Sequence, residues 1–322
     1  MLVLGIESTA HTFGCAVVRD EVVLSNVRRL YSTEQGGMIP SKVADHHVEV
    51  CGEVLREALV VAGVRAGELD AVAFSQSPGL GHCLRVGAVM ARTLALRLGK
   101  PLVGVNHCIA HLEVGRVLCG MEDPVLLYAS GANTQVIAYE GARYRIFGET
   151  LDMGVGNFLD SLGRFLGLGF PAGPRIEELA RSGEVLLDLP YSVKGMDVSF
   201  GGLLTNVHHK IVSGKYRPED VCFSVQEVVF AMLVEVAERA LAHTGKSQLV
   251  LGGGVACNGR LQEMARLMCE ERGAVFAAPL RQFLVDNAAM IALNGLQKLR
   301  VGDVVAVSAS GIDPYVRTMM CA

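Results

Sequence analysis

The 322-residue sequence has no C-x-x-C pair, no low-complexity linker, no excess of basic residues, and no apolar run of the ~18 residues that a bilayer-spanning helix needs. Each absence excludes something. Without clustered cysteines there is no pattern for structural zinc. The nine cysteines are odd in number, and Cys15, Cys51, Cys222 and Cys269 sit inside apolar periodic stretches. They read as small buried hydrophobes of a reducing compartment. Residues 1–6 enter an apolar strand directly, with no basic n-region and no cleavage site. Neither a secretory leader nor a membrane span is expected, and a cytoplasmic location follows. The net charge is −4. A chain that gripped nucleic acid alone would normally carry a basic excess. An RNA substrate would therefore need a local basic surface or a partner's. Arg92 and Arg97, and the group Lys194, His208, His209, Lys210, Lys215 and Arg217, are local basic candidates. Either group also reads as an ordinary solvated helix face.

What is present is a globular pattern, 51% apolar and 19% charged, long enough for one large or two medium domains. Residues 2–6 are apolar, residues 7–12 form a small polar turn, and residues 14–18 return as a strand. The same order recurs in apolar residues 125–129, the turn Ser130-Gly131-Ala132-Asn133-Thr134, and a strand over 135–139. Further strands are predicted at 22–27 and 143–147, one after each hairpin. A duplicated hairpin opening two α/β halves implies two similar lobes. Such turns aim backbone N–H groups and hydroxyls outward, which suits phosphate. Helices are predicted over 42–61, 85–98 and 259–272, with one long helix or a pair over 218–242. Strands are predicted at 71–75, 101–105 and 248–251. The lobe boundary is expected at residues 122–124. It divides an N-terminal lobe 1–124 from a C-terminal lobe 125–322, whose last helices return toward the first.

His107 and His111 stand at i and i+4, where a helix turns both rings to one face and one cation. The zinc-protease pattern needs Glu after the first His. Cys108 occupies that position, which disfavours a metallopeptidase. A third ligand must come from elsewhere. Asp286 precedes an apolar helix and reads equally as its N-cap. Tyr128 is a second oxygen donor, though a tyrosine in a buried strand is ordinarily packing. Gly252, Gly253 and Gly254 link a strand to a helix and read either as an anion cradle or as a tight turn. Asp160 and Glu177 flank glycine-rich turns. They could accept hydrogen bonds from ribose hydroxyls, or cap helices.

The ordered segments LGIESTAHTFG at 4–14, PGLGHCLRVG at 78–87, VNHCIAHLE at 105–113, YASGANTQV at 128–136, the stretch 156–180, SFGGLLT at 199–205, GGVACNGRL at 253–261 and VDNAAMIA at 285–292 resemble the universal tRNA threonylcarbamoyladenosine transferase family. The archaeal and eukaryotic branch, the catalytic subunit of the KEOPS complex, is the nearer match. The resemblance implies an α/β, two-lobed actin-like ATPase fold of the acetate kinase, sugar kinase and Hsp70 kind, with duplicated mixed β-sheet domains. It implies transfer of threonylcarbamoyl from threonylcarbamoyl-AMP to the adenosine beside the anticodon. It puts catalytic metal ligands at His107, His111 and Asp286, with Tyr128 as a further contact, for Fe2+ or Zn2+. Its nucleotide contacts fall on Ser130, Gly131, Ala132, Asp160, Gly173, Glu177 and Asn258. With the flanking backbone of Ala129 and Asn133 and the cradle glycines Gly253 and Gly254, these form the expected site for ATP or threonylcarbamoyl-AMP. The implied partners are tRNA, a small kinase or ATPase subunit and a dimerising subunit, with no membrane. The chain departs from the family pattern at Ala132 and Gly201, and alanine at 132 would be costly if that residue needed positive φ. The rival readings are a metal-dependent endopeptidase, a small-molecule kinase of the same fold, and a non-catalytic ATP-binding regulatory subunit.

Overall fold

The computed structural model describes residues 1–33 and 38–316. The chain forms two compact units. One holds residues 1–32, 38–117 and 286–316, and the other holds Thr33 and residues 118–285. Apart from the excursion at Thr33, the chain crosses between units at 117/118 and 285/286, where the sequence reading places one boundary at 122–124 and a return of the last helices.

The first unit begins with β1 (Leu2–Glu7), β2 (Thr12–Arg19) and β3 (Val22–Leu30), then α1 (Pro40–Ala62). It continues with β4 (Ala71–Ser77), α2 (Gly81–Leu98), β5 (Leu102–Asn106) and α3 (His107–Leu118). Its sheet runs β3-β2-β1-β4-β5. The β1–β2 and β2–β3 pairs are antiparallel, and the β1–β4 and β4–β5 pairs are parallel. Every residue of β1 is buried. That is why it reads as an unbroken apolar run, the mark of a strand covered on both faces.

The second unit repeats this plan. β6 (Val125–Ala129), β7 (Thr134–Tyr139) and β8 (Tyr144–Glu149) precede α4 (Val155–Phe165) and α5 (Gly173–Ala180). The short pair β9 (Val193–Lys194) and β10 (Asp197–Val198) follows, then α6 (Gly201–Val212) and α7 (Pro218–Thr244). Next come β11 (Gln248–Gly252), α8 (Gly259–Arg272), β12 (Val275–Ala277) and α9 (Arg281–Leu284). The sheet order, β8-β7-β6-β11-β12, matches the first sheet strand for strand. The first two pairs are again antiparallel and the last two parallel. Even the irregularity between the outer antiparallel strands recurs, at Val17/Val18 and at Val136/Ile137. The stretch read as one helix or two is the single helix α7, with Pro218 in its first turn and Gly245 closing it in the left-handed conformation.

The chain then re-enters the first unit through α10 (Ala288–Arg300), which packs on β1, β2, β4 and β5. The approach is close at Gly5, where a Cβ would stand 2.4 Å from the Ala288 carbonyl and 2.5 Å from the Ala292 nitrogen. Helices α1 and α2 pack on β2, β3 and β4, and Leu2, Leu4 and Ile6 join their core. No helix among the described residues is long and apolar enough to cross a membrane.

Candidate functional site

In an open α/β sheet the chemistry gathers at the carboxyl ends of the parallel strands. In the first unit those ends deliver Glu7 from β1 and, directly after β5, His107. Asn106 starts α3, its Oδ1 accepting from the N–H groups of Cys108 (3.0 Å) and Ile109 (3.2 Å). That cap fixes the helix phase from its first residue, so His107 and His111 present their rings on one side. The ring centroids are 4.8 Å apart at an interplanar angle of 83°. Both rings are buried, and Cys108 between them is buried too.

Asp286 completes the group. Its Oδ1 lies 3.3 Å from His107 Nε2 and 3.4 Å from His111 Nε2. The three donor atoms fall within 4.8 Å of one another. The capping role that Asp286 could have held belongs to its neighbour: Asn287 Oδ1 accepts from the Met290 N–H at 3.0 Å. Asp286 is thus left to face the imidazoles.

Glu7 was missed as part of this group. It is fully buried. One carboxylate oxygen accepts from the Thr9 N–H at 2.7 Å and from the Thr9 hydroxyl. The other lies 3.1 Å from His107 Nδ1, and Thr9 Oγ1 lies 3.2 Å from the same nitrogen. A carboxylate acceptor there keeps a proton on Nδ1 and turns Nε2 toward Asp286 and His111. The available signal was a charged residue closing a wholly buried strand. In the same turn the Ser8 N–H donates to Ser75 Oγ at 3.0 Å, and the Ala10 carbonyl lies 2.9 Å from His47 Nε2.

The electrostatics favour a cation-binding state. Burial pushes the pKa of His111 down, and Asp286 only partly opposes it, so the imidazole stays neutral. Burial alone would raise the pKa of Asp286. The neighbouring His107 charge, together with hydrogen bonds from His107 and His111, holds it well below the usual carboxylate range. Two imidazole nitrogens and an ionised carboxylate are donors of the right kind for one divalent cation.

In the second unit the corresponding turn follows β6. Tyr128 is buried in β6, opposite Gln135 of β7 and Gly252 of β11. After Ala129 the turn closes on itself, with the Ser130 N–H donating to the Asn133 carbonyl at 2.9 Å. Helix α4 braces it from one side. The Gly156 and Asn157 N–H groups donate to the Ser130 and Gly131 carbonyls, each at 2.9 Å. Gly253 presses from the other side. Its φ is +92°, and a Cβ there would stand 2.3 Å from the Ala129 carbonyl oxygen. Gly254 has open space where its Cβ would be. Ala132 is not among the described residues with positive φ, so alanine carries no left-handed strain there.

The expected ribose and nucleotide residues are spread around this turn, each with a protein partner. Asp160 Oδ1 accepts from the Ala172 N–H at 2.8 Å, just before Gly173 opens α5. Glu177 accepts from the Gly259 N–H at 3.0 Å. Asn258 caps α8, accepting from Arg260 and Leu261, while its Nδ2 donates to Gln226 at 2.9 Å. Glu177, Gln226, Glu227, Gly259 and Arg260 line a cavity of about 440 Å³, within the range of small-molecule sites. Gln226, which reaches both Asn258 and this cavity, carried no motif of its own in the sequence.

The duplicated five-stranded sheets with their helices define a protein of the actin-like ATPase fold. The solved structure of HypF from Thermococcus kodakarensis superposes with a TM-score of 0.66 at 15% identity, covering 93% of this chain and 47% of that one. The model of the tRNA N6-adenosine threonylcarbamoyltransferase family matches residues 21–293, and the chain belongs to that family. A Thermococcus kodakarensis protein of that description is 55% identical over 302 residues, 94% of this chain and 93% of the relative. A Methanocaldococcus jannaschii protein described as a probable bifunctional tRNA threonylcarbamoyladenosine biosynthesis protein is 50% identical over 321 residues, 99% of this chain and 59% of the relative. The chain is thus a transferase enzyme of tRNA modification.

Proposed function

We propose that the chain performs its family's transfer with the cation centre of the first unit and the phosphate turn of the second. The acyl donor is threonylcarbamoyl-AMP, and the acceptor is the exocyclic amine of the adenosine beside the anticodon in tRNAs that read codons beginning with A. The amine nitrogen forms a bond to the carbamoyl carbon and loses a proton. The bond from that carbon to the phosphate oxygen breaks, and AMP leaves.

The observation that carries this reading is the His107–His111–Asp286 group, with both imidazoles buried and Glu7 against His107 Nδ1. His107, His111 and Asp286 would hold one divalent ion, Fe2+ first and Zn2+ as the alternative on the family resemblance, since this donor set accepts either. Such an ion, when bound, supplies Lewis acidity and a template for the donor's oxygens. Glu7 keeps the His107 ring in one tautomer and one orientation. Asp286 balances the charge of the centre.

In the second unit the 130–133 turn, through its Gly131 and Ala132 N–H groups, and Gly254 would receive the phosphate, stabilising charge on the departing AMP, while the Gly253 N–H is given to the Leu284 carbonyl. Glu177, beside the 440 Å³ cavity, and Asp160 are the carboxylates for the ribose, with Gly173 and Asn258 holding the adjoining backbone. Fixed placement of the two reactants supplies much of the rate. The name of the bifunctional Methanocaldococcus relative, of which this chain spans 59%, supports work alongside a second activity. We assign that to a small kinase or ATPase subunit and a dimerising subunit of a KEOPS-type assembly in the cytoplasm.

In a reconstituted assay with tRNA and the adenylate, His107→Ala is expected to lose transfer by at least a hundredfold while its circular dichroism is unchanged. Metal analysis of the same variant is expected to fall from one ion per chain to less than a tenth. Normal turnover in a metal-poor variant would discard the cation centre.

A further inference from the structure

The second unit carries a face that the transfer site does not use. No acidic residue occurs over 161–176 or over 198–217, in a chain whose net charge is −4. A solvated helix face ordinarily mixes signs. Helix α4 packs against α6, so the two acid-free stretches adjoin. Phe165, 38% exposed, lies against the His208 ring with centroids 4.3 Å apart. Beyond α6, Lys210 Nζ stands 5.1 Å over the ring of Tyr216, which is 39% exposed. Arg164 donates to the Ser161 hydroxyl at 2.8 Å, and Lys215 is exposed. Arg164, Lys210 and Lys215 have no carboxylate partner among the described residues. Elsewhere on this unit Arg181, Arg239, Arg260, Arg266 and Arg272 are each paired with a glutamate.

Half-exposed rings among unpaired cations suit a polyanion that also offers flat faces. Single-stranded RNA is such a ligand, because its phosphates meet Lys and Arg while its splayed bases stack on aromatic rings. An acidic protein segment would satisfy the cations but gain little from the rings. We propose that Arg164, Phe165, His208, Lys210, Lys215 and Tyr216 form a docking face for the tRNA substrate, a role that rests on the transferase reading above. The placement is consistent with one strand reaching both sites. The first turn of α4 braces the 130–132 turn, and Phe165 ends the helix. Its 11 residues span about 16 Å, a distance that a short stretch of single strand can cover.

The test measures binding of a fluorescent tRNA transcript to the full chain over a range of salt, with folding of each variant checked by circular dichroism. The triple variant Arg164→Ala/Lys210→Ala/Lys215→Ala is expected to bind about tenfold more weakly. Its slope of log K against log salt should be shallower by about 2, at ~0.7 per single-strand phosphate contact. Phe165→Ala/Tyr216→Ala is expected to weaken binding about tenfold, as loss of base stacking does, with the slope unchanged. A polyglutamate peptide serves as the comparison ligand. Wild-type tRNA affinity and slope in both variants overturn the proposal. So does loss of polyglutamate binding with tRNA binding intact, and so does a wild-type chain that binds no tRNA at low salt. Transfer activity is read separately. A wild type that fails to transfer, while its variants lose tRNA binding as stated, sinks the functional reading and leaves the docking face standing.

Discussion

At the scale of the residue, the centre depends on which nitrogen of His107 carries its proton. A buried carboxylate is costly unless it is hydrogen-bonded, and Glu7 answers that cost by accepting from Thr9 and facing His107 Nδ1. Glu7→Gln keeps the shape but removes the charge that fixes the tautomer. The expected outcome is a 10–100-fold loss of metal affinity, the usual range for a residue that orients a ligand. Calorimetric titration of the apo-protein with Zn2+ reads this directly, and equal affinity would mean the helix alone orients the ring. His107 and His111 were legible because four-residue spacing is local. Asp286 was ambiguous because a carboxylate before a helix serves as ligand or cap. Only the neighbouring side chain, Asn287, with its bond to the Met290 N–H, separates the two. Glu7 was not legible as an orienting residue, since its partner lies 100 positions away and no periodicity links them.

At the scale of the element, Asp286 is placed by the helix that follows it. Helix α10 lies so near β1 that a side chain at residue 5 would meet backbone atoms of Ala288 and Ala292. Backbone cannot yield as a flexible side chain can. Gly5→Ala is expected to push the first turn of α10 outward, carrying Asp286 away from the imidazoles. Stability should fall by about 2–3 kcal/mol, as overpacking in a filled core does. Metal content should fall with it, whereas a distant core change of equal stability cost, such as Leu249→Ala in the second unit, should leave the metal in place. The strands themselves were easy to read. β1 and β6 are buried at every residue, so their apolar runs had no polar interruption. The ends were harder, because β5 and α3 share no loop: Asn106 closes one and caps the other.

At the scale of the molecule, the two units share one topology but fill their strand ends differently. The first puts side chains at its strand ends and the second puts backbone there. The first unit also contains a built-in sensitivity to acid. His47, on α1, is fully buried against the turn that follows β1, where its Nε2–H donates to the Ala10 carbonyl. Burial, then the nearby His46 and His11 charges, push its pKa down to about 4, against the opposing pull of that carbonyl. An unfolded chain would take up the proton near pH 6.5. Between those values the unfolded state binds more protons than the folded one, so stability rises with pH and falls as the solution is acidified. His111 shifts in the same direction. From pH 7 to pH 5 the His47 contribution alone is about 2 kcal/mol, using ~1.36 kcal/mol per unit of pKa difference. That is a sizeable share of the ~5–15 kcal/mol that holds a typical domain together. His47→Gln can still donate to the Ala10 carbonyl but cannot titrate. Its urea midpoint should therefore lose less on going from pH 7 to pH 5 than the wild-type midpoint does. Parallel losses in the two proteins would mean that His47 is protonated in the folded chain well above pH 5, and that the turn after β1 tolerates the charge.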